Sequence, residues 1–93
     1  MELINIAELA QFCSKHPGAR KPLSKWKDAT QNASWRNFSD LRQTFQTADY
    51  VNDLVIFDIG GNNFRLIARV NYFKTRVSII RILTHAEYDR WKT

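Results

Sequence analysis

The segment 84–89 concentrates the side chains best suited to chemistry in this chain of 93 residues. Thr84 and Glu87 have the spacing of a capping box, which predicts a helix beginning just after Thr84. Capping does not account for His85, which falls in the first turn, where the helix dipole disfavours a protonated imidazole. Tyr88 follows three residues later on the same side of the helix. An imidazole and a phenol held together in this way could transfer protons.

Two arginines near these residues could bind a phosphate group. Arg81 lies just before the motif and Arg65 lies in an earlier predicted strand. A guanidinium can hold two phosphate oxygens at once. The set suits phosphodiester cleavage by an RNA 2′-hydroxyl, in which one group removes a proton, another protonates the leaving oxygen and arginines stabilise charge on phosphorus. We predict that His85 leads proton transfer, that Arg65 and Arg81 bind phosphate, and that Tyr88 shares the proton transfer or stacks on a base.

Positive charge is concentrated in the second half of the chain. Five basic residues and no acidic residue lie between positions 60 and 83. Arg65 and Arg69 share one face of a predicted strand, roughly 13 Å apart, which is a suitable reach for two phosphates. A solvated sheet face is the alternative, although such faces usually mix both signs of charge. We assign the following residues to RNA binding: Arg69, Lys74, Arg76 and Asn62.

The first half of the chain has helical patterns. Apolar spacing predicts a helix over 6–15 with Asn5 as its cap, ended by Pro17 and Gly18. A second helix is predicted to begin near Pro22, and a third to follow Ser39. The second helix should bury the following residues: Leu23, Trp26, Thr30 and Ala33.

The second half has strand patterns. Residues 54–59 form a short apolar run, a strong turn signal follows at 60–63, residues 64–72 alternate between two faces, and a further strand covers 76–83. We therefore predict an α+β fold in which N-terminal helices pack on a small antiparallel sheet, a three-stranded meander, with a short C-terminal helix.

The register of the last strand decides where Arg81 points. If Val77 and Ile79 face the core, strict alternation places Arg81 there too, unless a bulge or the strand twist turns it outward. The other register buries Ser78, Ile80 and Ile82 and leaves Arg81 exposed. We prefer this second register.

Composition excludes several classes of protein. The length allows one domain, and the single cysteine, Cys13, excludes an internal disulfide framework and a multi-cysteine zinc site. No apolar run approaches the roughly 18 residues of a membrane span, and no signal peptide is recognisable, so we expect a cytoplasmic protein without membrane contact. Only His16 and His85 are histidines, and no carboxylate cluster has ligand spacing, so we predict no metal and no cofactor. The net charge of +5 favours a polyanionic partner.

Two runs resemble a known family. VIFDIGGNNFRLIA at 55–68 resembles the "vFdigGNkyRLia" core of the HigB-family toxins, and IRILTHAEYD at 80–89 resembles their closing "IR-x-x-TH-x-EYD" motif. Trp26, Trp35 and the run ADYV at 48–51 are also similar to the family. The resemblance covers nearly the whole chain, which is identified as a single HigB-like domain, 1–93, of the RelE-like fold group.

The resemblance implies the toxin of a type II toxin–antitoxin module. Such toxins are ribosome-dependent mRNA endonucleases that work by metal-independent 2′-hydroxyl attack and are held inactive by a helix-turn-helix antitoxin of the HigA type. A homo-oligomer of the isolated chain is compatible with the sequence. The family motifs fall on the following residues: Gly61, Asn62, Arg65, Arg81, Thr84, His85, Glu87 and Tyr88.

Two other classes of function compete with this one. The same basic face could serve a non-catalytic RNA- or DNA-binding module, or an interaction protein that receives an acidic partner. Mutation of His85 separates an enzyme from a binder. The salt dependence of RNA affinity separates a nucleic-acid binder from a protein-binding module, because phosphate contacts release counterions.

Overall fold

Residues 1–91 are described by a computed structural model, and within them a five-stranded sheet carries three helices on one face and one on the other. The helices are α1 (Ala7–Lys15), α2 (Arg20–Gln31), α3 (Phe38–Thr44) and α4 (His85–Trp91), with a 3-10 turn at Pro17–Ala19. The strands are β1 (Glu2–Ile4), β2 (Asp49–Val51), β3 (Leu54–Ile59), β4 (Phe64–Asn71) and β5 (Arg76–Thr84). No helix in this part of the chain is long and apolar enough to cross a membrane.

The predicted meander forms the centre of the sheet. The strand order is β1-β5-β4-β3-β2, and the pairs β3–β4 and β4–β5 are antiparallel as expected. The prediction of three antiparallel strands was incomplete, because β1 and β2 add one edge strand each and β1 runs parallel to β5. Each added strand has three residues, which is too short for an alternating pattern to identify it.

The two faces of the sheet are buried by different helices. The face under α1, α2 and α3 holds the main core. This core includes one alternating face of β4 (Phe64, Leu66, Ala68 and Val70) and, from the predicted buried side of α2, Leu23 and Trp26. Cys13 is partly buried and packs against this core. The opposite face, under α4, has a second apolar cluster: Ile56, Ile67, Leu83 and Tyr88. We refer to this opposite face as the α4 face.

The helix ends differ from two of the expectations. The cap of α1 is Ile6, whose side chain makes no cap bond, so the prediction of Asn5 as its cap was wrong. Asn5 instead adopts a positive φ of 66° and donates from its Nδ2 to the carbonyl of Ile79. Helix α3 begins at Phe38 with Asn37 as its cap, rather than after Ser39. Helix α2 begins at Arg20, which confirms the predicted start near Pro22.

The preferred register of β5 was wrong for Ser78 and Ile80, although Ile82 is buried in the main core as it predicted. Val77 and Ile79 are fully buried in the main core. Ile67 of β4 pairs with Arg81 while its neighbour Ala68 pairs with Ile79, so Ile80 is the extra residue of a β-bulge and is 40% exposed. The bulge resets the alternation, and Arg81 consequently lies on the α4 face, opposite Ile67. The predicted exposure of Arg81 therefore holds, but through the bulge rather than through the alternative register.

Candidate functional site

Arg65 is the most heavily bonded side chain of the α4 face. Its Nε lies 3.1 Å from Oδ1 of Asp58, which sits opposite it on β3. One terminal nitrogen donates to the carbonyl of Phe64 at 3.0 Å and the other donates to Oδ1 of Asn62 in the β3–β4 turn. The side chain is only 11% exposed. Three of its five N–H groups therefore bind protein, and two remain.

The ion pair with Asp58 corrects one expectation about charge. The basic segment 60–83 was predicted to give a face of a single sign. Because β3 lies beside β4, Asp58 faces Arg65 across the strands and partly neutralises it. The α4 face therefore mixes signs near Arg65, and unpaired positive charge lies farther along the sheet.

Tyr88 projects from α4 onto Arg65. The guanidinium carbon of Arg65 lies 5.5 Å from the centre of the Tyr88 ring, and the ring also stacks on Trp91 with centroids 5.8 Å apart. Tyr88 is only 9% exposed. Burial raises the pKa of Tyr88, the Asp49 carboxylate raises it further, and Arg65 acts in the opposite direction. The phenol is therefore neutral near pH 7, and its enclosed ring disfavours the predicted alternative of stacking on an RNA base.

The predicted capping box begins α4. The backbone N–H of Glu87 donates to Oγ1 of Thr84 at 3.2 Å, and Oε1 of Glu87 accepts from the backbone N–H of Thr84 at 2.9 Å. The same N–H of Thr84 lowers the pKa of Glu87. The backbone N–H of His85 donates to the carbonyl of Asn63 at 3.0 Å, which attaches the start of the helix to the β3–β4 turn.

His85 is oriented by a carboxylate one turn farther along α4. Its Nδ1 lies 3.2 Å from Oδ2 of Asp89, and its side chain is 45% exposed. A carboxylate at Nδ1 favours a hydrogen on that nitrogen and leaves Nε2 of the neutral ring as an acceptor. The geometry therefore presents a half-exposed imidazole whose Nδ1 is held by a carboxylate.

Arg81 lies on the same face as these residues. It is exposed, and it precedes His85 by four residues, roughly 13 Å along an extended strand. It also borders a groove of about 880 Å³ between α1 and the end of β5, whose lining includes Lys15, His16 and Glu87. His16 was not predicted as a site residue.

The remaining predicted RNA-binding residues lie away from this cluster. Arg69 is exposed on the α4 face opposite Ser78, and Lys74 lies in the β4–β5 hairpin. Neither side chain forms an ion pair within residues 1–91. Arg76 at the start of β5 is bound to Glu2, with Nε and Oε1 2.9 Å apart. The structure thus brings Arg65, Asn62 and Tyr88 into contact but leaves the other cations spread along β4 and β5.

Two acidic residues of the cluster were missed at the level of sequence. Asp89 could have been found, because it stands four residues after His85 on a predicted helix. Asp58 could not, because its contact with Arg65 depends on the pairing of two strands. Among residues 1–91, no group of three or more His, Cys, Asp or Glu side chains is arranged to hold a metal ion.

The comparison with known families decides the class of protein. A model of the HigB toxin family, the RelE-like toxic component of a toxin–antitoxin system, matches residues 19–91. The chain belongs to the HigB toxin family. The match includes the β3–β4 turn, both arginines and all of α4, whereas β1 and α1 lie outside it.

Individual HigB toxins resemble the chain over nearly its whole length. The mRNA interferase HigB of Escherichia coli O6:H1 is 29% identical over 97% of this chain and 90% of its own length. The mRNA interferase toxin HigB of Escherichia coli K12 is 26% identical over 96% of this chain and 88% of its own length, and the mRNA interferase HigB of Shigella flexneri gives the same figures. At these coverages the alignments also include α1, which the family model omits.

Proposed function

We propose that this HigB-family toxin is an mRNA interferase, an endoribonuclease that cuts mRNA on the translating ribosome. The observation that carries the proposal is its similarity over 97% of the chain to a protein named mRNA interferase HigB. The α4 face supplies residue types that the reaction needs: a half-exposed imidazole, a neutral phenol and arginines.

The reaction is an attack of the RNA 2′-oxygen on the adjacent phosphorus. In this proposal, Nε2 of His85 accepts the 2′-hydroxyl proton while the 2′-oxygen bonds to phosphorus and the bond to the 5′-oxygen breaks. The products are a 2′,3′-cyclic phosphate and a 5′-hydroxyl, so the step consumes no water. Tyr88, whose phenol stays protonated, is the candidate proton donor to the departing oxygen.

Both arginines bind the phosphate in this proposal, Arg81 as the exposed ligand and Arg65 as the second ligand. Arg81 is exposed and offers its whole guanidinium to a nonbridging oxygen. Arg65 has two N–H groups beyond those that hold Asp58, Phe64 and Asn62, so it serves as the second, more rigid ligand. Positive charge fixed before the reaction stabilises the extra charge that phosphorus carries in the transition state.

The partners follow from the same proposal. The toxin acts in the cytoplasm, on ribosomes, and a helix-turn-helix antitoxin of the HigA type holds it inactive. Asn62 contacts RNA at the β3–β4 turn, and Arg69, Lys74 and Arg76 contact it farther along β4 and β5, away from the scissile phosphate.

A non-catalytic RNA-binding module is the second candidate. The low exposure of Arg65 and Tyr88 favours it, because both side chains have structural partners. His85 separates the two candidates, because a binder does not require the imidazole. A binding module of this kind would still arrest bacterial growth after His85→Ala.

Induced expression in bacteria tests the proposed function. We expect growth arrest and new 5′ ends within translated messages, mapped by primer extension. A matched transcript whose start codon is removed should remain intact. Equal cutting of both transcripts would contradict ribosome dependence, and intact messages with normal growth would contradict nuclease activity.

A further inference from the structure

The tip of the β4–β5 hairpin displays an aromatic ring that the proposed chemistry does not use. Phe73 is 95% exposed, whereas Tyr50, the next most exposed large hydrophobic residue within 1–91, is 52% exposed. The other phenylalanines of the chain are at least partly buried. Phe73 therefore contributes nothing to the core.

The hairpin holds this ring in a defined place. Oδ1 of Asn71 accepts from the backbone N–H of Lys74 at 3.0 Å, and the N–H of Thr75 donates to the carbonyl of Tyr72 at 3.4 Å. The carbonyl of Thr75 accepts from the N–H of Glu2 at 2.8 Å, which ties the turn to β1. The exposed ring is thus presented by a bonded turn.

The surroundings of Phe73 are cationic and polar. Lys74 follows it directly, and Arg69 lies on the same hairpin; neither forms an ion pair among the described residues. The residues after Phe73 in the turn are exposed and polar. Protein interfaces require a contiguous, partly apolar patch, whereas single-stranded nucleic acid is bound by an isolated aromatic face with nearby positive charge. The surroundings of Phe73 therefore match a binding site for single-stranded nucleic acid rather than a protein interface.

We propose that Phe73 stacks on an unpaired nucleobase of ribosome-bound RNA while Lys74 and Arg69 contact the adjoining phosphates. The inference rests on the proposed function, because that function supplies the RNA. The hairpin and His85 lie at opposite ends of the nine-residue strand β5, roughly 26 Å apart. Phe73 would therefore anchor the toxin on RNA without touching the scissile phosphate.

The test uses three substitutions of Phe73 in the full chain. Stacking on aromatic side chains predicts that Phe73→Ala lowers kcat/KM on mRNA-programmed ribosomes by about 5- to 150-fold. The single-turnover rate at saturating ribosomes should stay within about twofold of the unsubstituted rate, because the ring is remote from the chemistry. Phe73→Trp should restore kcat/KM, and Phe73→Leu should not, because leucine is apolar but has no π face. Tyr50→Ala is the control, since it removes another exposed aromatic residue at the far edge of the sheet.

Ribosome binding identifies the source of the base. Weaker binding of Phe73→Ala to vacant ribosomes would place the nucleobase in ribosomal RNA, and weaker binding only to mRNA-loaded ribosomes would place it in the message. Either result supports the inference.

Three results would overturn it: unchanged kcat/KM for Phe73→Ala, full activity of Phe73→Leu, or loss of antitoxin affinity with unchanged ribosome binding. If the unsubstituted chain fails to cleave mRNA, the proposed function fails. In that case, comparing ribosome binding by the unsubstituted chain and by Phe73→Ala still tests the role of the hairpin separately.

Discussion

The guanidinium of Arg65 lies over the ring of Tyr88, with its central carbon 5.5 Å from the ring centre. This contact joins β4 to α4 across the sheet. The same guanidinium holds Asp58 on β3 and Asn62 in the β3–β4 turn. One buried cation therefore positions the helix that carries His85, because α4 packs on the sheet through Tyr88. Any change at Arg65 should alter stability as well as phosphate binding.

Replacing Arg65 by lysine tests this structural role. Arg65→Lys should lower the free energy of unfolding by about 2 kcal/mol, because an ammonium cannot replace the guanidinium fork and leaves hydrogen-bond partners unsatisfied. Urea unfolding followed by circular dichroism measures the loss. Arg69→Lys, at an exposed position of the same strand, should stay within about 0.5 kcal/mol of the unsubstituted chain. Equal losses in both variants would argue against the buried network.

Local signals in the sequence predicted most elements correctly. The capping box at Thr84 and Glu87 formed as predicted, because all of its contacts lie within four residues. The two faces of β4 also followed the alternation of the sequence. Such patterns depend on neighbours along the chain, so a sequence can carry them by itself.

Contacts between distant segments were not predictable in the same way. Ile79 and Ile80 are chemically alike, so apolar pattern could not show which of them enters the core and which forms the bulge. Asn5 satisfies the carbonyl of Ile79 just before that bulge, although they lie 74 residues apart in sequence. Asp58 likewise meets Arg65 only through strand register. The position of Arg81 is thus a property of the folded sheet.

The capping box should give α4 a pH-dependent stability. The hydrogen bond from the N–H of Thr84 lowers the pKa of Glu87 below its ordinary value of 4.5. A carboxyl whose pKa is lower in the folded state stabilises the protein above its unfolded pKa, and this contribution is lost as pH falls through the folded pKa. Glu87→Gln should therefore be less stable than the unsubstituted chain near pH 7, and the difference should vanish at strongly acidic pH. Thermal unfolding at a series of pH values from neutral into the strongly acidic range measures this difference; a constant difference would contradict the assignment.

Cleavage should require no transition metal bound to the toxin. The described residues have no cluster of His, Cys, Asp and Glu that could hold one, and the proposed reaction needs only proton transfer and fixed charge. Toxin treated with a chelator and dialysed into metal-free buffer should cleave at its original rate when added to intact ribosomes. A stoichiometric metal, detected by mass spectrometry, whose removal abolishes cleavage would refute this prediction.

Arg81 should act in both binding and chemistry, since a phosphate is anionic before the reaction and more so during it. Arg81→Ala should fold normally because the side chain is exposed. It should weaken ribosome binding and also slow single-turnover cleavage at saturation. Arg81→Lys should recover more of the binding than of the rate, because an ammonium retains the charge but not the bidentate geometry. Normal cleavage by Arg81→Ala would indicate that Arg65 or the ribosome, rather than Arg81, binds the phosphate.

His85 should contribute mainly to the rate, in contrast to Arg81. General acid–base groups typically supply about 10²- to 10⁴-fold, so His85→Ala and His85→Gln should cleave more slowly by that factor while binding ribosome and antitoxin normally. Asp89→Asn should produce a smaller loss, because it weakens the orientation of Nδ1 without removing the imidazole. Thr84→Ala is the control for helix stability and should cost about 1 kcal/mol without a comparable loss of rate.

Single-turnover cleavage on programmed ribosomes, with binding measured in parallel, distinguishes the possible proton carriers. If His85→Ala cleaves at the normal rate and Tyr88→Phe is inactive, the phenol of Tyr88, rather than His85, is the main proton-transfer group. Tyr88→Phe keeps the ring beneath Arg65, so that variant tests the hydroxyl while preserving the packing. Normal rates in both variants would leave α4 as a structural cap and assign the chemistry to the arginines and the ribosome. A loss in His85→Ala that Asp89→Asn partly reproduces would support an imidazole oriented by its carboxylate.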